Sequence, residues 1–191
     1  MQSRYLKLLN LPKVYSDESI VGYKAAYLYQ RVDSSNLDLF FVGLRGQEEY
    51  LVDSNAVCGK GGKHTSPEIT CYCGFYMFKN KESAQNALLV RGANVLLTVE
   101  AYGDIIEHEF GYRAEEQVVM RVEVGPVCRI CGSTADGMIE KNAYDTKILA
   151  SCCTLCAKRE NVKLHHLIDI ANNLGTEVTF APRVYRVGYW Y

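Results

Sequence analysis

Two short stretches near the end of the chain give the clearest indication of its fold: CRICG at 128–132 and CCTLC at 152–156. Each contains a C-x2-C knuckle, formed by Cys128 with Cys131 and by Cys153 with Cys156. Two residues between the cysteines allow both thiolates of a knuckle to reach one ion, and four thiolates satisfy the tetrahedral preference of Zn²⁺. The spacing therefore predicts one zinc ion bound by these four residues.

The sequence around the knuckles allows alternatives for the identity of one ligand, for the chemistry of the cysteines and for the type of zinc module. Cys152 would form a C-x3-C pair with Cys156, although Cys153 fits the usual knuckle spacing better. Unliganded buried cysteines or a disulfide are competing interpretations. The first residues show no apolar leader, which predicts a reducing cytoplasm, where metal is the commoner role for paired cysteines. A knuckle, a hairpin and a second knuckle that opens a helix would form a treble clef; a zinc ribbon is the alternative.

The hydrophobic pattern predicts an α+β fold, with a small mixed or barrel-like β domain at 1–126 and a four-cysteine zinc module at 127–191. Strands are expected at 37–44, 95–101, 104–109 and 117–124. Asn80 is placed to cap a helix at 80–91, and Gly175 is placed to end a long helix at 154–174. Pro182 interrupts a final strand at 177–187, which places that strand at an edge. We expect this strand to return to the first domain and the two parts to share one core.

A glycine-rich loop and the strand-like run after it contain a second set of potential ligands: Cys58, His64, Cys71 and Cys73. Loops of this kind can fold around an ion, so the set predicts a second zinc site. A regular strand at 71–73 would point its two cysteines to opposite faces and oppose this. The other interpretations are a cysteine buried in a strand beside two exposed ligands, and a redox-active or nucleophilic cysteine.

The run SPEITCYCGFY at 66–76 resembles a P-x3-C-x-C-G-x-Y signature of small uncharacterised bacterial and phage proteins. The stretch EHEFGYRAE at 107–115 is similar to a later part of the same proteins. The resemblance covers roughly residues 20–124. It implies that the second set of ligands acts together, and it implies no function.

The cysteine-rich tail is similar to the zinc-binding frame of HNH-type recombination endonucleases, whose two knuckles match 128–132 and 149–156. Those enzymes place a histidine between the knuckles as general base. The segment 133–150 contains no histidine. The resemblance therefore implies a zinc frame that lacks the catalytic residue.

Charge gives a mixed indication about nucleic acid. The chain has 21 basic and 22 acidic residues, so it lacks the strong positive field of a non-specific nucleic-acid binder. One basic residue lies in the first knuckle and three follow the second, where they could form a basic face around the zinc or an ordinary solvated helix face: Arg129, Lys158, Arg159 and Lys163. Because zinc modules contact phosphates with such side chains, we expect a non-enzymatic protein that binds nucleic acid or a nucleoprotein complex. The terminal aromatic residues could stack on bases, anchor a protein or cap the core of the barrel: Tyr185, Tyr189, Trp190 and Tyr191.

The sequence is also compatible with two other classes of function, a protein-interaction factor and an enzyme. Near-neutral charge and 14 tyrosines suit a protein-interaction factor, such as an inhibitor or adaptor, of bacterial or phage origin. An enzyme could use Glu107 with His108, or the region of Cys71 and Cys73, but no complete nucleophile–base–orienter set is present. No segment approaches the ~20 apolar residues of a membrane span, so we expect a cytoplasmic protein without a membrane partner.

Overall fold

The computed structural model describes residues 14–15, 18–32, 37–44, 49–59, 61, 64–143 and 146–182. Its strands are β1 (Val14–Tyr15), β2 (Ile20–Gln30), β3 (Leu39–Gly43), β4 (Glu49–Tyr50), β5 (Asp53–Asn55), β6 (Phe75–Phe78), β7 (Val95–Glu107), β8 (Gly111–Val124), β9 (Gly137–Ala143), β10 (Thr146–Cys152) and β11 (Glu177–Phe180). Its helices are α1 (Lys81–Arg91), α2 (Thr154–Arg159) and α3 (Leu167–Leu174). The described part is therefore mixed α and β, with strands predominating, which agrees with the predicted class.

A long antiparallel hairpin of β7 and β8 forms the centre of the sheet, and the two strands pair over almost their whole length. The prediction of three separate strands between 95 and 124 is therefore wrong. Gly103 does not turn the chain. It has a φ of 68° and lies in a register shift between Tyr102 and Ile105, so it marks an irregularity inside one continuous strand.

Four strands of the sheet close into a ring. β2 and β8 both pair with β7, and β6 pairs both with β8 and, through Phe78 opposite Tyr23, with β2. β3 and then β4 continue from β2, while β5 lies along β8. Leu28, Phe41 and Leu97 are among the fully buried side chains of the resulting core. This closure is consistent with the barrel-like domain that the hydrophobic pattern predicts.

The C-terminal elements share the same core. Met138 of β9, Leu149 of β10, Ile170 of α3 and Val178 of β11 belong to one buried cluster with Leu97 of β7. β10 pairs with β2, and β11 returns to β8 as a parallel strand. Apolar packing therefore continues across the boundary predicted at 126. The end of the predicted final strand, from 183 to 187, lies outside the described residues.

Two helices, α2 and α3, replace the single long helix predicted at 154–174, so that prediction is wrong. After α2, Asn161 adopts a left-handed conformation with a φ of 52°. The chain then extends, and His165 forms a bridge to Met138 of β9. A left-handed asparagine ends a helix as a C-terminal glycine does, and the continuous apolar periodicity around it conceals that signal.

Helix α1 agrees with its prediction because its end signals are local. The Asn80 side chain accepts a hydrogen bond from the Ser83 N–H at 2.8 Å, and Gly92 caps the other end in the left-handed region. Ala84 and Leu88 are its buried residues and pack with Leu96 of β7. The helix thereby covers one face of the central sheet.

The protein interior also contains a charged group. Lys24 of β2 is only 6% exposed, and its Nζ donates to Oε1 of Gln117 at 2.7 Å and lies 4.3 Å from the centre of the Tyr50 ring. The Gln117 Nε2 and the Tyr50 hydroxyl have no hydrogen-bond partner among the described residues. Burial lowers the pKa of Lys24 to about 7, because an amide and aromatic rings replace only part of the lost hydration.

Candidate metal centres

Cys128, Cys131, Cys153 and Cys156 form the first cysteine cluster. Their sulfur atoms all lie within 4.8 Å of one another, and those of Cys131 and Cys153 are 3.7 Å apart. A disulfide needs about 2.05 Å between sulfurs. A tetrahedron with Zn–S bonds of about 2.3 Å has edges of about 3.8 Å. The spacing therefore fits four sulfurs around one ion and excludes a disulfide between Cys131 and Cys153.

Backbone contacts place the two knuckles against each other. The first knuckle precedes the β9–β10 hairpin, and the N–H of Arg129 donates to the Ser151 carbonyl near the end of β10 at 2.9 Å. The second knuckle opens α2, where the Cys153 sulfur accepts from the Cys156 N–H at 3.4 Å as the helix cap. The order of knuckle, hairpin, knuckle and helix in the sequence thus brings four sulfurs to one point.

Cys152 is adjacent to this cluster but is not a member of it. Its side chain is fully buried, and its sulfur lies 3.9 Å from that of Cys128 and donates to the Cys153 carbonyl at 3.4 Å. Burial raises the pKa of Cys152 to about 12. The four sulfurs that lie within 4.8 Å of one another include that of Cys153 and not that of Cys152. The geometry therefore selects Cys153, in agreement with the knuckle spacing.

The thiols of the first cluster differ in how readily they ionise. Burial opposes ionisation of Cys128, but the backbone N–H groups of Cys131, Cys153 and Ile130 outweigh it and lower the pKa to about 6. Burial, followed by hydrogen bonds with the other cluster thiols, raises the pKa of Cys156 to about 12. Thiolates this close repel one another, so a cation between them would let all four ionise.

Cys58, His64, Cys71 and Cys73 form the second cluster. Their ligand atoms also lie within 4.8 Å of one another, with 3.8 Å between the sulfurs of Cys58 and Cys71 and 4.0 Å between the Cys73 sulfur and His64 Nδ1. β6 begins only at Phe75, so Cys71 and Cys73 lie on an irregular turn. Their side chains therefore do not alternate between two faces as they would on a regular strand. The four predicted ligands lie close enough to share one ion.

A buried arginine holds this turn from β8. Arg113 is 2% exposed, and its Nη1 donates to the carbonyl oxygens of Cys71 and Cys73. The chain passes so close to it that a Cβ on Gly74 would lie 2.9 Å from Arg113 Cγ, and Gly74 has a φ of 108° that favours glycine. The position of both cysteines thus depends on a residue that lies 40 positions beyond Cys73 along the chain.

Ionisation of the second cluster is favoured at one thiol. The backbone N–H of Cys73 lowers the pKa of Cys71 to about 6, helped by hydrogen bonds from the side chains of Cys73, Cys58 and His64. The Thr65 carbonyl, 2.9 Å from His64 Nδ1, raises the pKa of His64. A thiolate beside an imidazole and two further sulfurs is a suitable donor set for a soft divalent metal.

Glu107 and His108, at the turn of the β7–β8 hairpin, are the residues predicted as a possible acid–base pair. Glu107 accepts hydrogen bonds from the Tyr15 hydroxyl at 2.9 Å and from Lys79 Nζ at 2.6 Å. His108 is exposed, and its pKa is lowered by partial burial and by the positive charges of Arg113 and Lys79. Glu107 is thus engaged in an ion pair and a tyrosine contact, which supports a structural role.

The predicted phosphate-contact residues are all exposed: Arg129, Lys158, Arg159 and Lys163. Arg159 pairs with Glu160 at 3.3 Å, and the hydrogen bond and charge of Glu160, together with the Cys156 and Cys131 thiolates, raise its pKa. Among the described residues the other three basic side chains have no ion-pair partner. The structure therefore brings Arg129 and Arg159 to the first cluster. The aromatic residues predicted at the C-terminus lie outside the described residues.

Sequence reasoning missed two side chains that shape the clusters. The sequence groups Arg113 with Glu107 and His108, and only strand pairing shows that it lies opposite Tyr76 and under the cysteine turn. Asp136 accepts from the N–H and the hydroxyl of Thr154, at 2.8 and 2.9 Å, and so joins the hairpin to the start of α2. Both contacts join distant segments, which local spacing does not reveal.

Comparison with models of protein families, with curated proteins and with solved structures finds no match to this chain. In the described part of the chain, none of the helices has the length and apolar character needed to cross a membrane. Function is therefore inferred from the residues and their geometry.

Proposed function

We propose that both clusters bind zinc and that the metal is structural. The first cluster offers four sulfurs, and the second offers three sulfurs and one imidazole. Both donor sets are typical of structural zinc sites. Four protein ligands complete the tetrahedral shell and leave no open position for a catalytic water. The metal would therefore stabilise the fold and perform no chemistry.

The module around the first cluster is best described as a treble clef. Its first knuckle precedes the β9–β10 hairpin, and its second knuckle opens helix α2. This order supports a treble clef over a zinc ribbon. The helix is short, at six residues, because Asn161 ends it, and α3 then packs into the shared core.

We further propose that the protein binds nucleic acid, or a nucleoprotein complex, through the face beside the first cluster and without catalysis. The observation that carries this is a set of exposed cations in the first knuckle and in the stretch after the second, beside a complete donor set: Arg129, Lys158, Arg159 and Lys163. Basic side chains in this position contact phosphates in zinc modules. Since the net charge is −1, affinity would come from this local face and not from an overall field.

A binding titration of the metal-loaded full chain with labelled nucleic acid tests this function. We expect affinity to fall steeply as salt increases, and the double variant Lys158→Glu with Arg159→Glu to lose binding. Arg121→Glu is the matched control for each single reversal, Lys158→Glu or Arg159→Glu, because all three change the net charge equally and Arg121 is an exposed arginine on β8 that pairs with Glu177. Equal binding by the double variant and the control would exclude the basic face.

A protein-interaction factor is the second candidate, and exposed apolar side chains beside the second cluster favour it. Val57, Ile69 and Tyr72 are 69%, 48% and 77% exposed, and each lies within two residues of a cluster cysteine. Exposed apolar groups of this kind mark contact surfaces, and tyrosine is a frequent anchor. A partner that survives nuclease treatment at fixed ratio, and is lost in Tyr72→Ser, would support this function.

An enzyme is the least supported candidate. Cys71 has the lowered pKa of a nucleophile, but it belongs to a set of four potential ligands. Glu107 is held by Lys79 and Tyr15. An activity that His108→Ala abolished without unfolding the chain would reverse this ranking.

A further inference from the structure

Two neighbouring cavities lie beside the first cluster, and Arg129 and Lys141 line both of them. The larger has a volume of about 400 Å³ and has Ile130, Ile139 and Val162 in its walls. The smaller has a volume of about 260 Å³ and has an aliphatic lining that includes Val127 and Ile148. The volume of the larger lies in the range of small-ligand pockets. Each cavity therefore combines an apolar wall with the same two basic side chains.

The charges around these cavities favour an anion. Both acidic groups that line the larger cavity are already in ion pairs: Glu140 with Lys147 at 2.6 Å, and Glu160 with Arg159 at 3.3 Å. Arg129 and Lys141 are exposed and have no ion pair among the described residues. Within the described residues, the two charged side chains of the lining that form no ion pair are therefore both positive.

We propose that Arg129 and Lys141 bind one phosphodiester of a single-stranded nucleic acid, with the two flanking bases in the two cavities. This inference rests on the proposed function and specifies its ligand. A phosphate shared by two cations would lie where the cavities meet. The apolar faces of bases are available only in unpaired strands, because stacking covers them in a duplex. The pair also adds Lys141 of β9 to the basic residues predicted from sequence.

The test is fluorescence anisotropy of a short labelled oligonucleotide, offered as single-stranded DNA, single-stranded RNA and duplex to the metal-loaded full chain. We expect Arg129→Gln and Lys141→Gln each to weaken single-strand binding about tenfold, and the double variant to reduce the salt slope by about 0.7, because the two side chains share one phosphate. Arg121→Gln, which changes an exposed arginine that lines neither cavity, should bind like the unmodified chain. Zinc content and circular dichroism establish that each variant is folded.

The outcomes separate this inference from the function on which it rests. If the unmodified chain binds no nucleic acid, both are overturned. If binding is lost in Lys158→Glu with Arg159→Glu but unchanged in Arg129→Gln and Lys141→Gln, only this inference is overturned. Duplex bound as tightly as single strands would remove the bases from the cavities and overturn it as well.

Methyl NMR with a dinucleotide supplies a second readout. The methyl resonances of Ile130, Ile139 and Ile148 should shift, because these residues line the cavities. The methyl groups of Ile170, buried in the shared core, should not. Unmoved cavity methyls at saturating dinucleotide would also overturn the inference.

Discussion

At the scale of single residues, Cys152 and Cys153 show how one position along the chain changes the chemistry of a thiol. Cys153 follows the last residue of β10 and places its sulfur in the first cluster, where it also caps α2. Cys152 is buried beside it with a pKa raised to about 12 by burial. The sequence offers both as ligands, and the knuckle spacing favours Cys153, which the geometry also selects.

This pair makes a matched experiment. Cys153→Ala should lose one zinc per chain, because three thiolates remain where four are needed. Cys152→Ala should keep all bound zinc and lose only about 1 kcal/mol of unfolding free energy through lost packing. Elemental analysis of the purified variants measures the zinc. Equal zinc content in the two variants would show that the ligand assignment is mistaken.

Lys24 predicts a dependence of stability on pH. Its pKa falls from 10.5 to about 7 on folding, so between these values the unfolded chain binds a proton that the folded chain lacks. The free energy of unfolding should therefore rise by up to about 1.4 kcal/mol per pH unit above pH 7, and Lys24 should destabilise the fold most below it.

Denaturation of the unmodified chain and of Lys24→Met between about pH 7 and pH 9 measures this dependence. The variant should lack the rise, because methionine has no proton to lose. The Gln117 Oε1 loses its donor in the variant, which lowers stability at every pH by a similar amount. Identical slopes for the two proteins would contradict the lowered pKa of Lys24.

At the scale of elements, end signals decide which predictions succeed. Helix α1 is predictable because Asn80 and Gly92 act within one turn of its ends. The single helix expected at 154–174 is wrong because a left-handed asparagine leaves no mark in hydrophobic periodicity. The β7–β8 hairpin is divided wrongly because Gly103 can mark a turn or a strand irregularity, and strand pairing across the sheet decides between them.

Asn161 is accordingly the residue whose backbone conformation separates α2 from α3. Asn161→Val should destabilise the protein by about 1–2 kcal/mol, because a β-branched side chain is strained at a φ of 52°. Asn161→Gly should be neutral or slightly stabilising, since glycine adopts this region freely. Thermal unfolding of the two variants gives the comparison. A valine variant as stable as the glycine variant would argue for a continuous helix.

Arg113 connects β8 to the second cluster. Arg113→Met should lower the unfolding free energy by about 2–4 kcal/mol and reduce zinc at the second cluster, because two carbonyls lose a charged donor. The first cluster should keep its metal, since none of the described hydrogen bonds of Arg113 reaches it. Zinc content measured in Arg113→Met and in Cys131→Ser, which affects the other cluster, separates the two sites. Full zinc occupancy in Arg113→Met would contradict this positioning role.

At the scale of the whole molecule, the ligand sets and the sharing of one core are predictable from sequence, and the individual contacts that build the core are not. Spacing identifies both groups of ligands, because chelation by a knuckle or a short loop is a local property. The expected return of the last strand to the first domain does not identify its partner, which is β8, or the residues that enter the shared core, such as Ile170 and Val178. Those contacts join segments that are far apart along the chain, as where Glu177 pairs with Arg121. Removal of metal should therefore loosen a core that both halves of the chain share.

Native mass spectrometry of the purified full chain measures whether the two clusters hold zinc. We expect a folded species whose mass exceeds that of the chain by two zinc ions, and a denatured species with every cysteine as a free thiol. A folded species without zinc, or a mass deficit from disulfide formation, would contradict this expectation.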